Sequence, residues 1–417
     1  MADPCATNTG LLRHAQALAR LLQHAAVLPA EACAAQDAGG RVLAQDVLAI
    51  SALPAFDNAA MDGFALHGEG QTLSAGSVLA IAGTVAAGDA PPAQIAQAWE
   101  IMTGAPLPPG TDTIVPVERT ERVDARHVRL LDDVRSGQHL RRQGSDMQPG
   151  EHLAQAGQRV DATVQMLLAA QGITEVQVRA RPRVAILSTG KELVDDPAVA
   201  LQPGQIRASN GPYLAAALEE AGACVIAHHT LGDDPADFAA RLARLAPDVD
   251  LILTTGAVSA GIHDFIPAAL QAAGATRLFH KTAIRPGKPL LAAQFPSGAL
   301  VLGLPGNPVA TAVCFRFFAV PLLRAWQGLA EERPLRARLA ADCQGRTGFR
   351  QFLKARVDHD AQGQLQVQVL TGQESFRIGA LLHANAWAVI DEEAGLLPAG
   401  TPIEVLPRDA GGRWHFD

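Results

Sequence analysis

Residues 250–309 read DLILTTGAVSAGIHDFIPAALQAAGATRLFHKTAIRPGKPLLAAQFPSGALVLGLPGNPV. Two apolar runs, Leu251 to Thr254 and Ala299 to Leu304, each empty into a turn of small residues followed by a helical pattern. The first turn is Thr255-Gly256-Ala257-Val258-Ser259-Ala260-Gly261, and His263 and Asp264 fall in the first turn of the helix after it. The second is Pro305-Gly306-Asn307-Pro308, which opens a long helical stretch. Turns of this kind place backbone N–H groups and helix N-termini at the carboxyl edge of a parallel sheet, where open α/β sheets bind ligands. Between them lies Arg285-Pro286-Gly287-Lys288, cations on a stiff turn, with Lys281 just before. No Asp or Glu occurs from Phe265 to Ala330, although the whole chain carries a formal charge of −8. That local absence of negative charge points to a site built for an anion.

Outward from this stretch, strands VAILS, CVIAHHT, LILTT and ALVLG alternate with helical segments such as GPYLAAALEEAG and PADFAARLARL from Arg183 onward. Such alternation predicts βαβ units and a parallel sheet with right-handed crossovers. Asn210 is placed as an N-cap for the first of those helices. Residues 331–417 return to period-two alternation and read as a small all-β domain. Upstream, residues 11–27 read as an amphipathic helix, residues 73–150 as a β-rich module full of Val, Gly and Pro, and residues 161–173 as helix again. The β-rich module is therefore expected to be an insertion. The predicted division is 1–50 with 145–180, an elongated helical and linker domain; 51–144, a β-rich domain; 181–330, an α/β domain; and 331–417, a C-terminal β domain.

At 417 residues the chain exceeds a single core. Its acidity argues against a general nucleic-acid binder, and its 4% aromatic content against a base-stacking platform. The five cysteines are scattered without a CxxC pair, which suits reduced thiols. No secretory leader pattern is evident and no apolar run reaches the length of a membrane span, about 20 residues. A cytoplasmic enzyme with no membrane and no nucleic-acid partner is expected. The histidines show no metal-ligand spacing, there is no GxSxG elbow, and no cysteine stands in a nucleophile context.

The first βα turn is Ser188-Thr189-Gly190-Lys191-Glu192, offering hydroxyls and bare backbone to a phosphate, although it has neither dinucleotide nor P-loop spacing. Glu192 beside it is either a carboxylate for Mg²⁺ or a helix-start Glu favoured by the dipole. In FDNAAMDGFA (56–65), Asp57 and Asp62 are turn residues or functional acids. Lys281, Arg285 and Lys288 are read as an oxyanion or phosphate site.

With FDNAAMDGFA, IMTGAPLPPGTDTIVP, RRQGSDM, STGKEL, TTGAVSAGIHDF, AIRPGKPL, GLPGNPV and GQESFR in one order, the chain resembles the MoeA-type molybdopterin molybdenumtransferases, the family that includes the gephyrin E domain. The resemblance runs from about residue 10 to about residue 407. It implies insertion of molybdate into adenylylated molybdopterin (molybdopterin-AMP) with Mg²⁺, releasing AMP and molybdenum cofactor. It implies a multidomain α/β plus β fold: a central molybdopterin-binding-like α/β domain, an inserted β-rich module and a C-terminal β-barrel-like domain. Carried over by motif, Glu192 and Asp264 are the metal or pterin-phosphate acids, and Lys281, Arg285 and Lys288 hold molybdate and phosphate. Ser188, Thr189, Gly190, Gly256, Ser259, Pro305, Gly306 and Asn307 line the turns, and Asp233 lies near the nucleotide. Ser375, with Arg350 or Lys354, completes the molybdate site. The family is a homodimer whose sites are shared, so Asp62 and Thr103 are expected to act on the partner's α/β domain, with Asp62 or Asp264 orienting the attacking oxygen. A molybdopterin adenylyltransferase and molybdoenzyme delivery proteins are the possible further partners.

Three positions depart from the family pattern: Ala257 for a glycine, Arg285 for a lysine, and Lys354 for a barrel arginine. Two other functions compete. An adenylyltransferase would use ATP and needs only the 183–330 type of domain. A non-catalytic gephyrin-like scaffold has no need of intact Asp62, Glu192, Asp264 and Lys288.

Overall fold

Alternate residues of Val184–Leu187 enter two different cores, which makes this strand the centre of a sheet covered on both faces. The computed structural model describes residues 11–256, 265–414 and 416. Its central sheet has strands β1 (Arg183–Thr189), β2 (Cys224–Leu231), β3 (Leu251–Thr255), β4 (Thr276–His280), β5 (Leu291–Gln294) and β6 (Leu300–Leu304) in the order β2-β1-β3-β6-β5-β4. The first four are mutually parallel, as the βαβ pattern requires. β5 runs antiparallel to both β6 and β4, so the sheet is mixed rather than wholly parallel. This hairpin was not expected, because its two strands are joined by the long cation turn rather than by a two-residue turn that would signal it.

Val184, Ile186, Leu253 and Leu302 face one layer of helices, and Ala185, Leu187, Ile252 and Val301 face the other. The first layer holds α1 (His14–Leu22), α3 (Asn210–Glu220) and a long helix α6 (Pro308–Trp326). The second holds α4 (Pro235–Leu245) and α5 (Ile266–Ala272). Helix α2 (Ala162–Gln171) lies instead in the N-terminal part, capped by the Asp161 side chain and ended by left-handed Gly172.

By length and composition alone α6, at 19 residues, is apolar enough to cross a membrane, although Arg316 and Arg324 interrupt its apolar run. Its apolarity has another cause: 83% of the relevant window is buried inside the fold. Pro321 lies inside this helix, where it cannot donate to the ladder, and the turn just before it, Phe315–Ala319, widens to π geometry. The widened turn carries Phe317, whose ring stacks on Phe352 of the C-terminal domain at 3.7 Å. Arg316 beside it is 2% exposed, and its guanidinium donates to the Pro407 carbonyl at 3.0 Å and to Glu332 at 2.7 Å.

The C-terminal strands β7 (Leu335–Leu339), β8 (Arg350–His359), β9 (Leu365–Val369), β10 (Ala386–Ile390) and β11 (Pro402–Pro407) close into a five-stranded barrel, β8-β9-β7-β11-β10 and back to β8. Ile284–Arg285 adds to β8 as a short parallel strand. The N-terminal helix α1 was grouped by sequence with residues 145–180. It packs instead on the α/β core, and Ala283 N–H donates to the Leu12 carbonyl at 2.8 Å.

Ala30–Ala34 pairs with Glu175–Arg179, and Val47–Leu48 with His152–Ala154, so the chain leaves and re-enters one small unit. Buried Gln171 sits where the two connections meet and bonds Ile50 N, Ser51 N and the Ser51 carbonyl. The intervening module is a six-stranded sheet in which Gly63–Leu66 lies between Thr113–Pro116 and Ala98–Ile101.

Removing one partner of a buried ion pair leaves the other desolvated without compensation. Arg316→Met should cost about 2–3 kcal/mol in denaturant unfolding, lowered from the usual range because Glu332 keeps 18% side-chain exposure. A loss under about 0.5 kcal/mol, the size of an ordinary surface change, would contradict this role.

Candidate active site

The order β2-β1-β3-β6 reverses direction between β1 and β3, and ligands of open α/β sheets sit outside the carboxyl ends at that point. Gly190, Gly256 and Gly306 follow three of these strands. Gly256 has φ +89°, and a Cβ there would lie 2.4 Å from the Thr189 carbonyl oxygen, so backbone passes backbone where only glycine fits. A Cβ on Gly306 would in turn come within 3.6 Å of the Gly256 Cα.

The hydroxyls expected to meet phosphate are not presented at this edge. Ser188 and Thr189 are buried, and Thr189 Oγ1 donates to the Thr255 carbonyl at 3.0 Å. Beside these hydroxyls stand Gly190 and two acids. Glu192 folds back so that its Oε1 lies 2.7 Å from where a Gly190 Cβ would be, and Asp233 Oδ2 accepts from Lys191 N at 3.5 Å. Ser259 and Asp264, with Ala257, lie outside the described residues. Among the described residues no group of three or more metal-ligating side chains forms, leaving Glu192 and Asp233 as the acids at this turn.

The second turn is tied down from both sides. Thr311 Oγ1 donates to the Pro305 carbonyl at 2.5 Å, and Asn210 Nδ2 to the Gly306 carbonyl at 2.7 Å. Asn210 is thus not the expected N-cap. It is the first residue of its helix, and its amide braces a loop 96 residues away. No local pattern signals such a contact.

The Arg285–Lys288 turn is closed by Thr282 N donating to the Lys288 carbonyl at 2.9 Å and Lys281 N to the Leu290 carbonyl at 2.8 Å. Gly287 has φ +113°, and a Cβ there would lie 2.6 Å from Cys314 Sγ on α6. Arg285 and Lys288 are exposed on the wall of a cleft of about 1230 Å³ between the sheet edge and the barrel, which also includes Pro305, Asn307 and Ser375. Lys281 is half-buried just behind this turn and does not line the cleft. Among the described residues, none of the three cations has a carboxylate within ion-pair distance. Two acids share the wall, but Asp342 accepts from Ala399 N at 2.8 Å and Glu374 pairs with Arg377 at 3.1 Å.

The barrel cations fall differently from expectation. Gln351 and Leu353 face the cleft, so by strand alternation Arg350 and Lys354 lie on the opposite face. Arg350 is engaged by Glu404 at 3.3 Å and by Glu392 and Asp391 at 3.7 Å. Lys354 is fully buried. The C-terminal-domain arginine that lines the cleft, among the described residues, is Arg346, its guanidinium 5.6 Å from the Phe349 ring. Its signal was a cation in the Gln344-Gly345-Arg346-Thr347-Gly348 turn.

Asp62 and Thr103 lie in the inserted module and do not line this cleft. Asp62 Oδ1 accepts from Thr103 N at 2.6 Å and from Thr103 Oγ1 at 2.7 Å. These bonds, the backbone one first, hold its pKa below the usual carboxylate value. Arg142, in the RRQGSDM motif, binds Asp57 at 2.6 Å, and Gln143 N donates to the same carboxylate.

Comparison with known proteins covers nearly all of this architecture. Residues 12–172 match the MoeA N-terminal region (domain I and II), residues 185–325 a probable molybdopterin binding domain, and residues 336–407 the MoeA C-terminal region (domain IV). The chain is 39% identical over 407 residues to a molybdopterin molybdenumtransferase of Synechococcus elongatus, covering 95% of this chain and 99% of that one. It is 41% identical over 381 residues to molybdopterin molybdenumtransferase 2 of Mycobacterium tuberculosis, covering 88% and 92%. A crystal structure of a molybdopterin biosynthesis MoeA protein from Pyrococcus horikosii superposes with a TM-score of 0.79 at 28% identity, covering 96% of this chain and 99% of that one.

Thr103→Val removes the hydroxyl donor to Asp62 and keeps the backbone one. The Asp62 midpoint, followed by carboxyl NMR, should rise part of the way toward its ordinary 3.8. An unmoved midpoint would mean that the hydroxyl bond does not act on the carboxylate.

Proposed function

This chain belongs to the MoeA family of molybdopterin molybdenumtransferases, and from that premise we propose how its cleft inserts molybdate into adenylylated molybdopterin, releasing AMP and the finished cofactor. It is a transferase of molybdenum cofactor biosynthesis, acting on molybdopterin-related substrates. One observation carries the mechanistic reading: Arg285 and Lys288 stand on a cleft wall with Arg346 and Asn307, and among the described residues neither has a carboxylate within ion-pair distance.

Each cation about 4 Å from an oxyanion contributes about 1 kcal/mol at the permittivity of water and about 4 kcal/mol at that of a protein surface. Several together hold a dianion such as molybdate without a covalent bond to the enzyme. The Gly256 and Gly306-Asn307 turns let substrate phosphates approach bare backbone, at the start of α6 where the helix dipole favours negative charge. Catalysis then rests on position and charge, with the dithiolene sulfurs of the pterin brought against the bound oxyanion.

Glu192 and Asp233 offer the hard oxygen donors that Mg²⁺ prefers, and Glu192 makes no ion pair among the described residues. The resemblance adds Asp264 to that set. Bound there, Mg²⁺ would neutralise charge on the phosphoanhydride. Asp62 would come from the inserted module of a partner subunit in a homodimer, together with Thr103. A carboxylate held below its usual pKa is a poor proton acceptor, so Asp62 acts by orienting the attacking oxygen. An enzyme that adenylylates molybdopterin would supply the substrate, and delivery proteins for molybdoenzymes would take the product. The adenylyltransferase alternative leaves the flanking modules without a role, and the scaffold alternative leaves without one two cleft cations that have no ion-pair partner among the described residues.

A single-turnover assay with adenylylated molybdopterin, molybdate and Mg²⁺, without ATP, tests this reading. AMP release should require molybdate and fall at least about a hundredfold in both Asp62→Ala and Lys288→Ala. Mixed and reassociated, the two inactive variants should recover about a quarter of wild-type activity, because half the dimers are mixed and each has one intact site. Molybdate-independent AMP release, or pterin adenylylation once ATP is added, would overturn the assignment. No recovery on mixing would overturn the shared site.

A further inference from the structure

Lys354 stands at the middle of β8 with no exposed surface, and among the described residues it has no carboxylate within ion-pair distance. An ammonium has three donors and no acceptor, so when buried it needs three acceptors. Nζ finds them in one loop: it donates to the carbonyls of Gly372 at 2.5 Å, Arg377 at 3.1 Å and Glu374 at 3.4 Å. The same loop grips the lysine's own backbone. Gln373 Oε1 accepts from Lys354 N at 3.0 Å, and Gln373 Nε2 donates to the carbonyls of Lys354 and Leu370, both at 2.8 Å. Leu370 N also donates to the Lys354 carbonyl, at 3.0 Å. Residues 370–377 are therefore wound around one buried ammonium.

This loop is a wall of the cleft, contributing Thr371, Gly372, Gln373, Glu374 and Ser375. At its end the Ser375 carbonyl accepts from Val309 N at 3.0 Å, in the first turn of α6 and directly after Pro305-Gly306-Asn307-Pro308. The barrel core is thus joined through Lys354 and Ser375 to the turn that closes the opposite side of the site.

We infer that Lys354 is a positioning residue, one that never touches the oxyanion and instead sets the 371–375 wall and the start of α6 at their working separation. The inference rests on the reading of this cleft as the molybdate site. Its basis is steric and stoichiometric: all three ammonium protons are taken by backbone carbonyls of the 372–377 loop, and Lys354 itself stands on the face of β8 opposite Gln351 and Leu353, which line the cleft.

Hydrogen exchange on the full-length, substrate-free protein decides the question. Lys354→Met keeps the approximate volume and removes the donors, and Gln373→Ala loosens the same loop from its nearer side. In both variants the Val309 amide and residues 370–377 should exchange about tenfold faster or more, with β3 amides unchanged. The molybdate KM should rise about tenfold while the KM for the adenylylated pterin stays within about twofold, a split that general destabilisation does not produce. If Lys354→Met does not fold, Gln373→Ala carries the same expectation. Unchanged exchange at Val309 and in the loop in a folded variant would overturn the inference, and a higher molybdate KM with unchanged exchange would make Lys354 an anion ligand. Absence of turnover in the wild-type protein would count against the proposed function alone, because the exchange measurement uses no substrate.

Discussion

A two-residue pairing holds this site together. Ile284 and Arg285 add in parallel to Arg350 and Gln351, so the segment bearing the exposed cations belongs at once to the α/β domain that encodes it and to the barrel it borders. Anchored at one end only, two long cationic side chains would lose conformational freedom on meeting an anion and give back much of the gain. Here the Thr282–Lys288 closure, the Gly287 contact with α6 and the strand on β8 fix the backbone beneath them. The cleft is the gap left between two bodies already joined, and a preorganised charge site costs little reorganisation when a charged substrate arrives.

That joining depends on the apolar layer underneath. One continuous core holds Leu21 from α1, Leu253 and Leu302 from the sheet, Phe317 and Phe318 from α6, and Phe352 and Trp387 from the barrel. Burial of large aromatic groups of this kind contributes on the order of 1.5–3 kcal/mol each, far more than any exposed ion pair at the rim. The hydrophobic layer therefore sets the position of the charges. Arg316, the buried cation in that layer, is satisfied by the Pro407 carbonyl and Glu332, and ties α6 to the far end of the barrel strands.

Much of the architecture was legible because it is written in local periodicity. The βα units from Arg183 onward show apolar runs of strand length, small-residue turns and helices with the right spacing, and the helix at Pro235–Leu245 falls on the segment expected for it. The β4–β5 hairpin was not legible, since a strand pair interrupted by a ten-residue cation turn has no two-residue hairpin signal. Among site residues, Arg285, Lys288, Asn307 and Ser375 came from an absence of acids or from motif, and the structure brings them to one cleft. Arg350 and Lys354 were placed there by motif but stand on the other face of β8, where strand alternation decides and motif order does not. Ser188 and Thr189 had the right chemistry at the right turn, yet their side chains belong to the sheet interior. Arg346 escaped notice and Asn210 was read only as an N-cap, because what each does comes from long-range placement.

On this reading the paired body of sheet edge and barrel presents Arg285, Lys288 and Ser375 to a tetrahedral oxyanion. Crystals of the full-length protein soaked in tungstate, a strong anomalous scatterer of the same shape and charge as molybdate, test it directly. An anomalous peak is expected in the cleft within ion-pair distance of Arg285 or Lys288, and it should disappear in Lys288→Ala grown and soaked identically. A peak elsewhere with the cleft empty, or one that persists unchanged in the variant, would contradict it.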